Sequence, residues 1–574
     1  MRLLYKQLTK EVAKNKVFVT LMLILTTLTA FMFFFVRFSI DGNISVLNAL
    51  PSLNENQTLY MNALNSNKIL AFNYLLALTA LTVFVFIMFF YRFFKTNKKQ
   101  IGCLKSLGFK DRTLCGYFIA FTVVLSLLGA VFGTCGGFFS SSILIHANEK
   151  SYSVSGLVRE LHSTSVLIGF LLPTIVLCIA SFFSYGFVRG KESGVLLSGI
   201  NNELKYAKVL RFANAIVGIL PIKNKASLRI ALRKPIAVIL IVTAVMSFNV
   251  MFIMGYSLNL CSGTVFKSQT EGHNYFYDTR YEEYIEKENK EGDIQMYLSV
   301  AGTLSKINSD SKVEQQIVGL EQGKALLSLE NSEGTAIALP QDNNIYIGPA
   351  LQQLYGFKAD DKVTLKINDK AYTVMVRDIA DNATSNCVYI DKDTLTKLLN
   401  LPKNSYNGIL SMKPLDNGGT VTTNEQKLEM LDKASVSNQS SAVINQVIGC
   451  IVGCILLFLA LLLNFQDSTR DIFILRLMGY KAKEIRKMLI NIYKPILWVS
   501  FVLTLWPSIK LAQSILKSLS LQTGDYMPFQ TNVFVIGIVF IILNVIYFLV
   551  QATFNLGIKR VIKREEVSKY TNVN

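Results

Sequence analysis

The chain is poor in the residues that build hydrolytic and metal sites. Three histidines occur in 574 residues, His146, His162 and His273. They lie far apart, with no pair at metal-ligand spacing and no His-Glu-x-x-His helix, so a zinc-type centre has no ligand set to start from. Eight cysteines are scattered, which is no disulfide framework. Cys103 and Cys115 belong to a basic loop and its edge; Cys135, Cys178, Cys450 and Cys454 sit in apolar runs. Only Cys261 and Cys387 belong to a long polar segment, and one bridge between them stays open. Cys450 and Cys454 are four apart on an apolar helix with no histidine or carboxylate beside them, and read as small packing residues. The nearest approach to a phosphate loop, Gly319-Leu-Glu-Gln-Gly323-Lys324, is one residue short. Ala325 stands where a magnesium-holding hydroxyl is needed, and a turn explains the segment. No Gly-x-Ser-x-Gly elbow appears in a strand–helix context. The chain therefore does not read as an enzyme.

Charge is missing from the apolar stretches as well. Hydrophobic residues make up 51% of the chain, and its mean hydropathy is +0.37. Eight runs reach the ~20 residues that cross a bilayer: Val17–Val36, Ile69–Phe90, Leu114–Ser140, Ser163–Val188, Pro235–Leu260, Ser440–Phe465, Leu489–Ile515 and Asn532–Ile558. Seven contain no Asp, Glu, Lys, Arg or His. The run Leu489–Ile515 holds Lys494 and Lys510, which can snorkel toward opposite interfaces. Without intramembrane carboxylates the spans lack what proton- or sodium-coupled carriers use.

The formal net charge of +19 raises nucleic-acid binding, but its distribution answers otherwise. Lys and Arg number five in Met1–Lys16, seven in Tyr91–Thr113, nine in Gly190–Lys234, six in Gln466–Met488 and five in the tail. The short alternate loops hold almost none. This is the positive-inside pattern. It places both termini in the cytoplasm and Cys261–Gln439 outside, where 18 basic and 25 acidic residues leave an acidic balance. The positive rim faces anionic headgroups. The first run is followed by no small-x-small site and reads as a retained anchor.

An internal repeat organises the chain. Lys98–Leu114 reads KKQIGCLKSLGFKDRTL, and Thr469–Ile485 reads TRDIFILRLMGYKAKEI, 371 residues later. Ile101, Leu104, Lys105, Gly108, Phe109 and Lys110 become Ile472, Leu475, Arg476, Gly479, Tyr480 and Lys481. At this offset the second, third and fourth spans fall on the sixth, seventh and eighth; the first and fifth correspond at an offset of about 219, the difference being the enlarged second outer loop. The expected fold is an α-helical polytopic membrane protein with eight transmembrane helices in two four-helix repeats of the same orientation. One mixed α/β extracellular domain is inserted between helices five and six.

The expected divisions are as follows. Residues 1–16 form a cytoplasmic interfacial helix. Residues 17–188 form the first half, with a short outer loop at 39–68 and a basic loop at 91–113. Residues 189–234 are a linker ending in a second basic amphipathic segment, 235–260 the fifth span and 261–439 the outer domain. Residues 440–558 carry the last three spans with a loop at 466–488, and 559–574 the tail. For Met1–Lys16 and Pro221–Lys234, an interfacial helix and simple topology-setting charge both fit. In the outer domain, Asp361–Asp378 alternates about Asn368-Asp369-Lys370 as a hairpin, and Asn386–Ile390 is an apolar strand. Pro349–Tyr355 and Asp393–Leu399 read as helices, the second capped by Asp391 or Asp393. Charge-dense Tyr281–Glu291 and polar Asn424–Ser437 read as leads from spans five and six.

In the first loop Ile101, Leu104, Leu107 and Phe109 make an apolar stripe ringed by Lys98, Lys99, Lys105 and Lys110. Gly108 ends the short helix, and Asp111 caps the next. The second loop repeats this with Ile472, Leu475, Leu477, Gly479 and Tyr480. A cationic helix with an apolar stripe suits a groove on another protein; an elbow packed on its own membrane domain is the other reading.

Gln100-Ile101-Gly102-Cys103-Leu104-Lys105-Ser106-Leu107-Gly108-Phe109 resembles the coupling-helix pattern of FtsX-like, or MacB-type, ABC transporter permeases. Gln100 in the first copy and Asp471 in the second stand at that pattern's acidic position. Ala226-Ser-Leu-Arg-Ile-Ala-Leu-Arg-Lys-Pro235 resembles the family's entry motif. Asn344–Leu399 resembles its extracellular domain, with Asp360 where glycine is usual.

The resemblance implies a permease that works with two copies of a separate cytoplasmic ABC ATPase. ATP and magnesium are bound by that partner and no cofactor by this chain. Motion passes to the outer domain without a substrate path through the spans. It assigns ATPase coupling to Ile101, Gly102, Leu104, Lys105, Leu107, Gly108, Phe109, Ile472, Leu475, Arg476, Leu477, Gly479 and Tyr480. The substrate expected is a peptide or lipid-like molecule, such as an antimicrobial peptide. The alternatives are a ligand-sensing regulator of a histidine kinase or cell-wall hydrolase, with a membrane kinase or envelope protein as partner, and an ion-coupled carrier. Membrane lipids are partners in every case; nucleic acid is not.

Overall fold

A computed structural model describes residues 8–563 apart from 11, 13–14, 153, 155, 199–234, 287–293, 308–311, 325, 332, 340–342, 369, 385–386, 416–417, 468–473, 476, 481–483, 485–492 and 524–525. Most of the 1–16 and 189–234 segments, Ile472, Arg476 and most of the tail lie outside the described residues. The chain divides into two compact units: Met1–Ile253 with Ile444–Ala512 and Asn532–Asn574, and Met254–Val443 with Gln513–Thr531.

The first unit is helical. Its elements are α1 (Lys16–Asn48), α2 (Glu55–Thr96), α3 (Lys98–Ser106), α4 (Asp111–Tyr152), α5 (Ser163–Tyr185) and α6 (Ser193–Ser198). It also holds parts of α7 (Pro235–Thr270), α10 (Asn424–Asp467) and α11 (Tyr493–Thr523), and α12 (Val533–Lys563). Eight of the described helices are long and apolar enough to cross a membrane. They overrun the apolar runs. α1 continues to Asn48 and α2 begins at Glu55, so the expected outer loop at 39–68 shrinks to 49–54. Asn54 starts α2 with a capping box, accepting from the Gln57 amide while Gln57 returns the bond.

α1 lies along α4 on a ladder of small residues. A Cβ at Gly129, Gly133 or Gly137 would collide with Thr26, with Ala30 or with the backbone of Phe35, the close approach that one helical turn of spacing permits. Phe33, Phe34 and Ile40 fill the adjoining core with Leu64 and Leu75 of α2. Hydroxyls pair across the bundle, Thr29 with Thr82 at 3.1 Å and Ser126 with Thr174 at 2.9 Å. The cavity they line is about 10 Å³, room for one water and no more.

The extended α1 also carries a buried charge pair beyond the end of the first apolar run. Arg37 and Asp41 are buried one turn apart, 3.2 Å from Nε to Oδ1. Arg37 Nε donates to Ser165 Oγ at 2.8 Å and the His162 amide donates to Asp41 Oδ2 at 3.0 Å, tying α1 to the start of α5. In the second half, Gly449 and Gly453 of α10 face Met251 and Phe248 of α7. Trp498 Nε1 of α11 donates to Asn544 Oδ1 of α12 at 2.9 Å.

The second unit is mixed α/β, and its strands lie in the chain between the fifth and sixth long helices. Its strands are β1 (Tyr277–Glu286), β2 (Ile294–Lys306), β3 (Lys312–Leu320), β4 (Leu329–Glu330), β5 (Ala336–Ile337) and β6 (Asn344–Ile347), then β7 (Lys362–Ile367), β8 (Lys370–Ile379), β9 (Cys387–Asp391), β10 (Ser405–Ser411) and β11 (Thr420–Thr423). Its helices are α8 (Pro349–Tyr355) and α9 (Lys392–Leu399). Nine strands run in the order β11-β1-β10-β2-β3-β9-β6-β8-β7, and β2 pairs again with β7. β2 achieves this by giving one edge to two partners. Ile294–Tyr297 pair with β10, and Thr303–Lys306 with β7. Strands β2, β3, β9, β6, β8 and β7 thereby close into a small barrel, whose interior is packed with Leu304, Ile317, Ile345, Val363, Val376 and Val388.

The hairpin, the apolar strand and both short helices fall where the residue pattern put them. Asp391 is the cap of α9, accepting from the Thr394 amide at 3.0 Å. Tyr281–Glu291 is corrected: its first six residues belong to β1, which pairs with β10 and β11. Cys261 and Cys387 form no disulfide with each other.

Candidate functional site

The two repeated turns fold alike. Gly108 has φ of +88° and Gly479 of +89°, the left-handed geometry that ends a helix at low cost only with glycine. In the first turn the Phe109 amide donates back to Leu104 O at 3.2 Å, and Leu107 N to Cys103 O at 3.0 Å. In the second, Tyr480 N donates to Leu475 O at 3.1 Å and Met478 N to Ile474 O at 3.0 Å. Each bond has its counterpart 371 residues away.

The first apolar stripe is split by its surroundings. Ile101 and Leu104 are buried, and a Cβ on Gly102 would come within 2.9 Å of Leu196 Cβ in α6. These three hold the short helix to its own chain, whereas Leu107 is 70% exposed. The sequence pattern puts Ile101, Leu104, Leu107 and Phe109 on one stripe; in the fold Ile101 and Leu104 are buried within the chain, as is Gly102 against α6. Lys105 likewise leaves the cationic rim. Its Nζ lies 2.7 Å from Asp111 Oδ1 and donates to Val188 O and Lys191 O at 3.1 and 3.2 Å. Asp111, expected as a cap, sits in the first turn of α4 and accepts from Tyr185 Oη at 2.6 Å. Lys105, Asp111 and Tyr185 thus fasten the turn to the end of α5. Lys99, Lys110 and Arg112 are exposed, and Phe109 is half-buried. In the second turn Leu477 and Met478 are exposed, and Leu475 and Tyr480 half-buried.

In the α/β unit, polar groups concentrate where α7 ends and α10 begins. Lys427 Nζ in the first turn of α10 lies 3.2 Å from His273 Nδ1 and donates to Tyr275 Oη at 3.4 Å. Asn382 Nδ2 donates to Glu271 O at 3.0 Å and Ser328 O at 2.7 Å. Burial pushes the His273 imidazole down to about 3, with the Lys427 ammonium adding to it. Burial also draws Lys427 down to about 8 despite the opposing pull of Asp278. A neutral His273 accepts from Lys427 at Nδ1. Nothing in the sequence signalled this cluster, whose members lie up to 154 residues apart.

The same unit holds a groove of about 860 Å³. Ala301, Thr303, Glu314 and Gln316 of β2 and β3 form one wall, Leu351, Leu354 and Tyr355 of α8 another, with Lys312, Lys366 and Tyr526 at its margins. Its size is that of a ligand site, and its walls are about evenly apolar and polar. Among the described residues, no group of three or more His, Cys, Asp or Glu side chains is placed to hold a metal.

Comparison with known proteins finds the FtsX-like permease C-terminal family at residues 73–192. That stretch runs from α2 through α5 and includes the first turn. Residues 73–192 are thus similar to the C-terminal domain of FtsX-like permeases, a family of ABC transporter subunits, and eight described helices are long and apolar enough to cross a membrane. No curated protein matches the chain.

Proposed function

We propose that this FtsX-like permease is the membrane subunit of an ABC transporter whose two turns receive the stroke of two separate ATPase subunits and whose α/β unit delivers it outside. ATP and magnesium belong to those partners. Both termini face the cytoplasm, and residues 261–439 lie outside. The ligand is a peptide or lipid-like molecule at the outer leaflet, an antimicrobial peptide being the expected kind, and the groove between β2–β3 and α8 is where it would be held. The single observation that carries this reading is the duplicated glycine-capped turn that turns Leu107 and Met478 outward. A large apolar side chain kept in water at corresponding positions of two turns is best explained by a partner that covers it. The narrow, one-water cavity of the first bundle supports transmission of motion over passage of cargo.

The test is co-purification of the chain with the ABC ATPase encoded by the neighbouring gene. Leu107→Asp combined with Met478→Asp should abolish it, while the chain's own unfolding temperature stays unchanged, because both sites are exposed. Retention of the ATPase by the double variant refutes the docking role.

A further inference from the structure

The third long helix of each half buries the same positions. At the 371-residue offset Thr122 pairs with Tyr493, Leu125 with Ile496 and Ser126 with Leu497, all of them buried. α4 and α11 therefore turn corresponding faces outward, but those faces differ in chemistry. Lys494 and Trp498, both exposed, stand where the first half has Val123 and Leu127. The same helix is built once with apolar residues at these positions, so its packing demands neither a cation nor an indole. Beside Lys494 lies a groove of about 390 Å³. Phe540, Ile541, Val545 and Phe548 of α12 line it, and the last three are exposed. Trp498 donates to Asn544 and Phe501 lies 5.1 Å from Phe540, so α11 and α12 run antiparallel here. Lys494, one turn before Trp498, therefore falls toward the Gln551 end of the groove. Its Nζ is held 5.2 Å from the centre of the Trp498 ring. Asn544 is already committed, accepting from Trp498 at 2.9 Å and donating to Phe540 O at 2.8 Å. Among the described residues, no Asp or Glu lines the groove.

We infer that this groove is a binding site for an anionic phospholipid, with the phosphate on Lys494 and one acyl chain lying along α12 toward Phe540. Two observations carry it. The first is charge complementarity. A cation at the edge of hydrocarbon is costly until it is paired, the groove supplies no carboxylate, and a lipid phosphate completes the pair. The second is length. The lining from Phe540 to Gln551 runs about 16 Å along a helix that rises about 1.5 Å per residue. That is about half of the ~30 Å hydrocarbon core, the depth that one acyl chain occupies. Basic pockets between membrane helices on the cytoplasmic side are suited to anionic headgroups, and Lys494 lies on that side in the orientation proposed above. The site is separate from the two turns and does not depend on what docks there.

The chain carries its own probe, since Trp498 and Trp506 are its two tryptophans. Trp506→Phe leaves Trp498 as the sole indole in the full chain. This protein is reconstituted in mixed phosphatidylglycerol and phosphatidylcholine bilayers, with the acyl chains of one lipid brominated to quench its fluorescence. Quenching at low salt should show phosphatidylglycerol preferred over phosphatidylcholine by about fivefold. Lys494→Gln should abolish that preference and Lys494→Arg should keep it. Lys510→Gln, near the other end of the same span, should leave it within about twofold. Equal quenching by the two lipids, or a preference that survives Lys494→Gln, overturns recognition of the phosphate by Lys494. Quenching by neither lipid means that protein covers the groove, a second copy or another helix, and overturns the lipid site as well.

Discussion

Replacing Asp41 by leucine should be among the most damaging single changes in the helical unit. Arg37 and Asp41 are 7% and 2% exposed. The carboxylate serves two donors, Arg37 Nε at 3.2 Å and the His162 amide at 3.0 Å. Asp41→Leu leaves the guanidinium its bond to Ser165 Oγ, at 2.8 Å, and strands the amide. Breaking a buried pair from one side costs about 3–5 kcal/mol, and the lost backbone bond adds about 1 kcal/mol. The single variant should therefore lose about 4–6 kcal/mol. Arg37→Met with Asp41→Leu removes both charges together and should recover most of it, since buried pairs replaced by apolar residues are often neutral. Detergent-solubilised protein titrated with sodium dodecyl sulfate and followed by far-ultraviolet circular dichroism gives the four corners of the cycle. The expected coupling is about 2–4 kcal/mol. If the double variant's loss equals the sum of the two single losses within about 0.5 kcal/mol, the charges are not energetically joined and the account of how α1 is tied to α5 is wrong.

Gly108→Val and Gly479→Val should each cost about 1–2 kcal/mol in the turn, because a β-branched residue cannot relax at φ near +88°. A Cβ there meets nothing within 4 Å, so Gly→Asn at either site should be tolerated, and ATPase co-purification separates the two substitutions. Lys427 is held below its ordinary value of 10.5, at about 8. Between those values the unfolded chain binds more protons than the folded one, so stability rises with pH across that window and is flat below it, by at most about 3 kcal/mol. Lys427→Met should erase the slope in denaturation midpoints measured from pH 7 to 10.5. Filling the groove with Thr303→Trp should reduce protection of cells against the peptide the complex handles while ATPase binding is unaffected; undiminished protection counts against the groove.

Much of the fold was legible because it obeys local rules. The hairpin about Asn368, the apolar strand ending at Asp391 and the helix that Asp391 caps are all set by alternation, a left-handed turn residue and a side-chain acceptor. The glycine-ended turns were legible for the same reason. What escaped depends on distant partners. β1 looks like a charged lead because one face is solvated along most of its length; only β10 and β11 make it a strand. Arg37 and Asp41 follow the last apolar residue of the first run, and a hydropathy reading stops there. The helix does not, because Ser165 and the His162 amide satisfy both charges. Which residues of the first turn face outward was undecidable from the stripe alone. α6, just beyond the fourth span, covers Gly102, and no periodicity in residues 98–110 encodes that neighbour.

The α/β unit begins and ends on neighbouring strands. Tyr277 at the start of β1 stands opposite Thr423 at the end of β11, so the chain enters from α7 and leaves into α10 side by side. The closed ring begins two strands further in, past β10. If both helices advance together, the ring is carried as a rigid cargo and its interior is never strained. If one advances against the other, the load falls as shear on four short rungs between β1 and β11, a sacrificial seam that would yield long before the barrel does.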